Sequence, residues 1–133
     1  MSRHDGTSGA IGVDFALASS AVLILIGAIV DYGTMFAAKH AINYGLVKAA
    51  RYAAVNSTTA TVSSTTAVFK VVVTAALGSA NAKNCSLSVS YPNGNSIGNT
   101  VVLSASYPWT NAFGIDALPA ITLSASQTLT IEH

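Results

Sequence analysis

Apolar residues form one long block near the start of the chain and short alternating runs near its end. Residues 15–30 are uncharged and mostly apolar, which corresponds to about 24 Å of helix. When the block is extended to residues 10–38 it reaches about 43 Å, and only Asp14 and Asp31 interrupt it. The hydrocarbon core of a bilayer is about 30 Å thick. The pattern therefore predicts a membrane-spanning helix with an acid near each end.

The apolar block has two alternative interpretations. A cleaved secretory signal has a short apolar region that is followed by a small-residue cleavage site. Here residues 31–39 keep helical character and offer no such site. A buried helix of a soluble domain is the other alternative, but such helices rarely carry so long an apolar run without a polar face.

Helical periodicity continues beyond the apolar block, with polar residues between the apolar ones. The apolar positions that carry this periodicity are Met35, Phe36, Ile42 and Leu46. The pattern predicts one transmembrane and stem helix over residues 10–55, in which Gly33 and Gly45 permit bends. The rest of the chain is too short to bury such a stem, so we expect an oligomer or a filament.

The next part of the chain is rich in serine and threonine. Residues 56–66 are predicted to form a linker, and residues 67–133 a small extracytoplasmic head. Thr65 or Thr66 can cap a short helix that ends before Gly78. The valines at 71–73 favour a strand instead, but the Ala-Ala-Leu-Gly ending favours the helix.

Three later segments alternate between apolar and polar residues, with turn residues at 92–95 between the first two. Their apolar positions predict one buried face, formed by Cys85, Leu87, Val89 and Tyr91, by Val101, Leu103, Ala105 and Tyr107, and by Ile121, Leu123, Ala125, Gln127, Leu129 and Ile131. The predicted fold is α+β: a long N-terminal helix, a short second helix and a three-stranded antiparallel sheet that packs against a helix.

Charge is scarce throughout the chain, at 8% of residues against about 25% in typical soluble domains. After Arg51 the only charged residues are Lys70, Lys83, Asp116 and Glu132. The near-zero net charge gives little repulsion against self-association. Because no basic patch stands out, we expect no nucleic-acid partner.

The sequence offers no catalytic, cofactor or metal site. His4, His40 and His133 are dispersed, and Cys85 has no second cysteine with which to pair. Serine and threonine hydroxyls act as nucleophiles only beside a base that a third group orients. We therefore expect a protein that is not an enzyme. Tyr107 and Trp109 are read as core residues rather than as a contact patch.

A glycine that is followed five residues later by an acid lies at the N-terminal end of the apolar block. Only Gly9, with Asp14, meets this spacing. A charged carboxylate near the hydrocarbon core of a membrane costs free energy, which indicates that Asp14 has an ion-pair partner or a functional role. The arrangement is similar to the processing site of class III signal peptides, the leaders of type IV pilins and pseudopilins. The resemblance implies that a prepilin peptidase cuts between Gly9 and Ala10 and removes residues 1–9.

In those families the acid neutralises the terminal amine of a neighbouring subunit during assembly. The resemblance implies this role for Asp14, beside the adjoining Phe15. The alternative is an acid that lies in the headgroup region at the start of the helix. Small residues at four-residue spacing allow helix backbones to approach in a bilayer. Gly12, Ala16 and Ser20 have this spacing, although small residues are common in the whole chain.

Five segments, in order along nearly the whole chain, resemble TadE-like proteins. They are Gly-Val-Asp-Phe-Ala-Leu at 12–17, Ile-Val-Asp-Tyr-Gly at 29–33, Ala-Ala-Arg-Tyr-Ala-Ala-Val at 49–55, the Tyr-Pro-containing strand end at 101–110 and the Leu-Ser-Ala-Ser strand at 118–127. Two departures are Asp14, where glutamate is usual, and the lack of a proline in residues 17–30.

TadE-like proteins are minor pilins or pseudopilins of the tight-adherence (Tad) pilus, in the type IV filament superfamily. The resemblance implies a bacterial inner-membrane protein with a periplasmic head, which assembles with other pilin subunits and the Tad machinery for surface adherence. Counting the bases on either side of the span instead places the C-terminal part in the cytoplasm. The alternative function is a membrane-anchored extracytoplasmic binding module that never enters a filament.

Overall fold

The computed structural model describes residues 5–56, 60–111 and 121–132. Its elements are α1 (Asp5–Val55), α2 (Val62–Leu77), α3 (Ser79–Ala82), β1 (Ser86–Ser90), β2 (Thr100–Trp109) and β3 (Ile121–Thr130). The predicted α+β class is confirmed: a long apolar N-terminal helix and a second helix precede a three-stranded antiparallel sheet. Contacts divide the chain into a first unit, Met1–Thr34, and a second unit, Met35–His133.

The first unit consists, as far as it is described, of the first part of α1. Its large apolar side chains are exposed: Phe15 is 73% and Leu23 is 68% accessible. The helix is long and apolar enough to cross a membrane, with a mean hydropathy of 2.3 in its most apolar window. Its length and composition are therefore those of a potential membrane anchor.

The hydroxyl groups of Ser19 and Ser20, in this part of α1, are satisfied by the helix itself. Ser19 Oγ donates to the Ala16 carbonyl at 3.0 Å, and Ser20 Oγ donates to the Leu17 carbonyl at 2.8 Å. A polar group without a partner costs several kcal/mol in hydrocarbon. These two bonds reduce that cost because each hydroxyl finds its acceptor one turn back along the same helix.

The second unit is built around the last part of α1, whose buried face consists mainly of alanine. The buried positions on this face are Ala38, Ala41, Ile42, Gly45, Leu46, Ala49, Ala50, Ala53 and Ala54. Phe36, which the sequence periodicity groups with Ile42 and Leu46, is 60% exposed instead. It lies two residues, or about 200° of helix rotation, before Ala38 and so points away from the core.

Helix α2 packs against α1 at Gly45. A Cβ atom at Gly45 would lie 2.9 Å from Val73 Cγ2, closer than carbon atoms tolerate, and 3.2 Å from Phe69 Cδ2, which is a tight contact. Both α2 side chains are almost completely buried. Helix α1 continues through Gly45. The glycine permits the close approach of the two helices.

Helix α2 begins earlier than the sequence predicts. Its N-cap is Thr61, not Thr65 or Thr66. The Ser64 amide donates to Thr61 Oγ1 at 3.1 Å, and the Thr61 amide donates to Ser64 Oγ at 2.9 Å. Serine thus takes the place that glutamate or glutamine usually has in a capping box. The second half of the predicted linker at 56–66 is therefore helical.

The sheet has the order β1-β2-β3 with antiparallel pairing throughout. The predicted inward positions of β2 are buried, and Tyr107 and Trp109 belong to the core as expected. Cys85, Leu123 and Ile131 are also buried. Ile121 is an exception, being 37% exposed at the start of β3.

Two contacts fasten β3 to α1 within the second unit. The Lys39 ammonium donates to the Ser124 carbonyl. Near the other end of the strand, the Glu132 amide donates to the Ala54 carbonyl at 3.1 Å. The Lys39 contact occupies a carbonyl on the outer edge of the sheet, where unpaired backbone groups invite pairing with another chain.

We predict that Gly45→Val destabilises the second unit by about 1–3 kcal/mol, because the added carbons overpack the crossing with Val73 and Phe69. Gly33→Val is the matched control, since a Cβ there meets nothing within 4 Å. Thermal unfolding of the full chain in detergent, followed by circular dichroism, measures both. Equal melting temperatures for the two variants would contradict the close approach.

We predict that Thr65→Val raises stability by about 1 kcal/mol, because an unpaired buried hydroxyl is replaced by a methyl group of the same shape. Thr65 is fully buried, and its Oγ1 has no hydrogen-bond partner within the described ranges. Thr66→Val is the control: its Oγ1 donates to the Val62 carbonyl at 2.7 Å and is half-buried. The same unfolding measurement should show a gain at 65 and none at 66.

Candidate functional site

The predicted cleavage site lies inside α1. Gly9 and Ala10 are in the second turn of the helix, which begins at Asp5, and both are exposed. Cleavage of the bond between them requires local unwinding of the helix end. That unwinding is cheap, because glycine is a poor helix former and helix ends fray. Met1 to His4 lie outside the described residues.

The predicted assembly carboxylate is one helical turn further along. Asp14 is exposed, and the adjoining Phe15 is too. Residues 5–34 contain no lysine, arginine or histidine. No side chain of this segment can therefore offer Asp14 an opposite charge. Cleavage at Gly9 would create one, the new amine of Ala10, which lies four residues away on the same helix face.

The three residues of the predicted packing face are accessible. Gly12, Ala16 and Ser20 are all exposed, and a Cβ at Gly12 would meet nothing within 4 Å. The Ser20 hydroxyl is turned back to its own helix, as described above. Another helix backbone can therefore approach this face without displacing a large side chain or breaking a polar contact.

The second unit has a different surface feature, an array of hydroxyl groups on the outer face of the sheet. Pairing aligns Ser86 with Ser106 and Ser124 in one row, and Ser88 with Ser104 and Ser126 in the next. We call these six residues the serine face. With the alanine and leucine backbone between them they line a concavity of about 490 Å³. Ser86 Oγ and Ser106 Oγ lie 2.7 Å apart and share a hydrogen bond.

The serine face can bind through hydrogen bonds, but nothing in its lining activates a hydroxyl. A serine nucleophile requires a base within hydrogen-bond reach, and the lining residues include neither an acid nor a base. His40 is exposed on α1. In the described part of the chain, no group of three or more histidine, cysteine and acidic residues could hold a metal ion.

The thiol of Cys85 and the phenol of Tyr107 are core groups. Burial raises the pKa of the Cys85 thiol above its usual value. Burial also raises the pKa of Tyr107, and the negative charge of a Cys85 thiolate adds to that increase. A buried thiol that resists ionisation is a poor nucleophile. Both groups therefore contribute packing rather than chemistry.

No family model matches the chain, and neither a curated protein nor a solved structure matches it.

We predict that the second unit loses stability as the pH rises above about 9, since Cys85 and Tyr107 hold their protons longer in the folded than in the unfolded chain. A raised folded-state pKa stabilises the fold at lower pH, and this stabilisation disappears as the pH rises. Tyr107→Phe should make the decline above about pH 10 shallower. Tyr44→Phe is the control, because Tyr44 is 58% exposed. Unfolding midpoints between pH 7 and 11 measure the effect, and parallel declines in both variants would contradict it.

Proposed function

We propose that the protein is a TadE-like minor pilin or pseudopilin that takes part in assembling a Tad-type adhesive pilus. The observation that carries the proposal is an exposed apolar helix with one acid a single turn beyond Gly9–Ala10. The small α+β unit that follows along the chain is consistent with a pilin-like fold. The order of the sequence motifs supports the same family.

Processing by a prepilin peptidase is the first step of the proposed function. Cutting after Gly9 removes the leader with its bases and leaves an ammonium group at Ala10. That ammonium lies next to the apolar surface of the helix, in the same region as the Asp14 carboxylate. Each charge is costly in hydrocarbon when it has no partner.

Assembly follows from this pair of charges. Within one subunit, the Ala10 amine and Asp14 can neutralise each other across one helical turn. Between subunits, the same pairing links neighbouring helices, and the low dielectric constant of the bilayer strengthens it. The open face at Gly12, Ala16 and Ser20 lets the helices approach closely enough for the pairing. Aspartate retains the charge of the usual glutamate but reaches one methylene less far.

The same proposal accounts for the exposed apolar side chains of the first unit. Before assembly the bacterial inner membrane would cover them, with the leader in the cytoplasm and the head in the periplasm. After assembly other pilin subunits would cover them in a surface pilus. The peptidase, the other pilins and the Tad machinery are therefore the expected partners, together with the membrane.

A second candidate function is a membrane-anchored binding module that is not assembled into a filament. The serine face favours it, because a concavity of about 490 Å³ lined by hydroxyls can hold a hydrogen-bonding ligand. The two functions differ in what happens to the leader. A binding module has no use for cleavage at Gly9 or for an unpaired acid at position 14.

We predict that the chain, expressed with an active prepilin peptidase, is cut to a mature form that begins at Ala10. Intact mass and N-terminal sequencing of the membrane fraction measure the cut. Gly9→Leu should abolish it, and Gly12→Leu is the matched control outside the cleavage site. A wild-type chain that retains residues 1–9 under these conditions would contradict the pilin function and favour the binding module.

Asp14→Asn separates processing from assembly, because it keeps the size of the side chain and removes its charge. We expect this variant to be cut but to be depleted about tenfold in sheared pili, the effect of losing roughly 1.4 kcal/mol between subunits. Asp14→Glu should restore incorporation. Wild-type amounts of Asp14→Asn in pili would show that the carboxylate is not needed for assembly.

A further inference from the structure

A small cavity in the second unit is lined by two of the few charged residues of the chain. Its volume is about 190 Å³, and its lining is Lys70, Thr74, Ser79, Ala82 and Lys83. We call it the lysine pocket. It lies where the C-terminal half of α2 meets α3 and the residue that follows α3.

The turn between the two helices brings the lysines together. Lys70 and Thr74 are one turn apart on the exposed side of α2. Gly78 ends that helix with a positive φ of 80°, which a glycine adopts without strain. Its amide donates to the Thr74 carbonyl at 2.9 Å, and α3 then turns the chain back. Ala82 is buried, and the neighbouring Lys83 lines the pocket beside it.

The charges of the lysine pocket are not balanced by the protein. Lys70 and Lys83 are the only lysines or arginines after Arg51, in a chain that has six such residues. The lining contains no acid, and neither lysine has an ion pair or hydrogen bond within the described ranges. Two lysine side chains line one small pocket that has no acid in its lining, so this part of the surface carries a net positive charge that attracts an anion.

Two other concavities in the described part of the chain lack this property. The serine face carries no charge at all. The third concavity, of about 470 Å³, is lined by both Arg51 and Glu132, so its charges are of opposite sign. An anion is therefore attracted to the lysine pocket and to neither of the others.

We infer that the lysine pocket binds an oxyanion group, such as a sulfate, a phosphate or a carboxylate. The two ammonium groups provide the charge, and the hydroxyls of Thr74 and Ser79 are available to donate hydrogen bonds to its oxygens. The volume suits one such group, either as a free ion or as a substituent of a longer polymer that continues outside. The inference requires only the folded second unit and does not depend on assembly into a pilus.

The test is isothermal titration calorimetry of the full chain in detergent micelles. The probes are dextran sulfate, neutral dextran of the same length and inorganic phosphate. We expect dextran sulfate to bind and neutral dextran not to bind. In the double variant Lys70→Gln/Lys83→Gln, affinity should fall about tenfold, as expected for the loss of two exposed charge contacts. Its dependence on salt should weaken as well, since fewer counterions are released.

Lys48→Gln/Arg51→Gln is the matched control, because it removes the same charge from exposed positions on α1 outside the pocket. An equal loss of affinity in both double variants would overturn the inference, since net charge alone would then explain binding. Equal binding of neutral dextran, or no binding of either anionic probe, would overturn it too. If inorganic phosphate displaces dextran sulfate at a similar concentration, the ligand is a small anion.

If phosphate does not displace dextran sulfate, the ligand is an anionic polymer. Circular dichroism verifies that the variants are folded.

Discussion

Close packing against the alanine face of α1 is the contact on which the second unit depends. Ala49, Ala50 and Ala53 are completely buried, and none of them offers more than a methyl group. Small side chains bring the neighbouring elements near the helix backbone, and Gly45 brings α2 nearer still. The larger apolar residues of α2 and β2 then fill the space around the face. Interiors of this density respond to changes of a single methyl group, so the arrangement leaves little freedom for substitution on α1.

The two parts of α1 differ in how far the rest of the chain covers their apolar side chains. From Ala38 onward, the residues of the same chain cover one face of the helix. Before that, large aliphatic side chains such as Leu23 and Ile24 remain accessible. Transfer of each from water to an apolar environment is worth about 1.5–3 kcal/mol. Summed over about a dozen such side chains, this transfer free energy is the physical reason why, under the proposed function, lipid and then neighbouring helices cover the segment.

Much of the fold could be predicted from the sequence because its signals are local. Alternation identified all three strands, and the apolar block identified α1. The start of α2 was missed because serines and threonines are read as linker residues. The capping box of Thr61 and Ser64 and the burial of Thr65 override their weak helix propensity. The Gly45 crossing, the alignment of serines across the sheet and the placement of Lys70 and Lys83 on one pocket each depend on elements that the fold brings together. No local pattern could reveal them.

The inward-turned hydroxyls of Ser19 and Ser20 have a consequence for movement between environments. A polar group that relies on lipid headgroups, on water or on another protein must give up that partner whenever the helix changes its surroundings. These hydroxyls carry their acceptors with them, so lipid tails and neighbouring helices are nearly equivalent surroundings for this side of α1. Exchange between the two then has a small desolvation barrier in either direction. Under the proposed function, these two hydroxyls would therefore add little to the barrier when a subunit moves from the membrane into a filament or back.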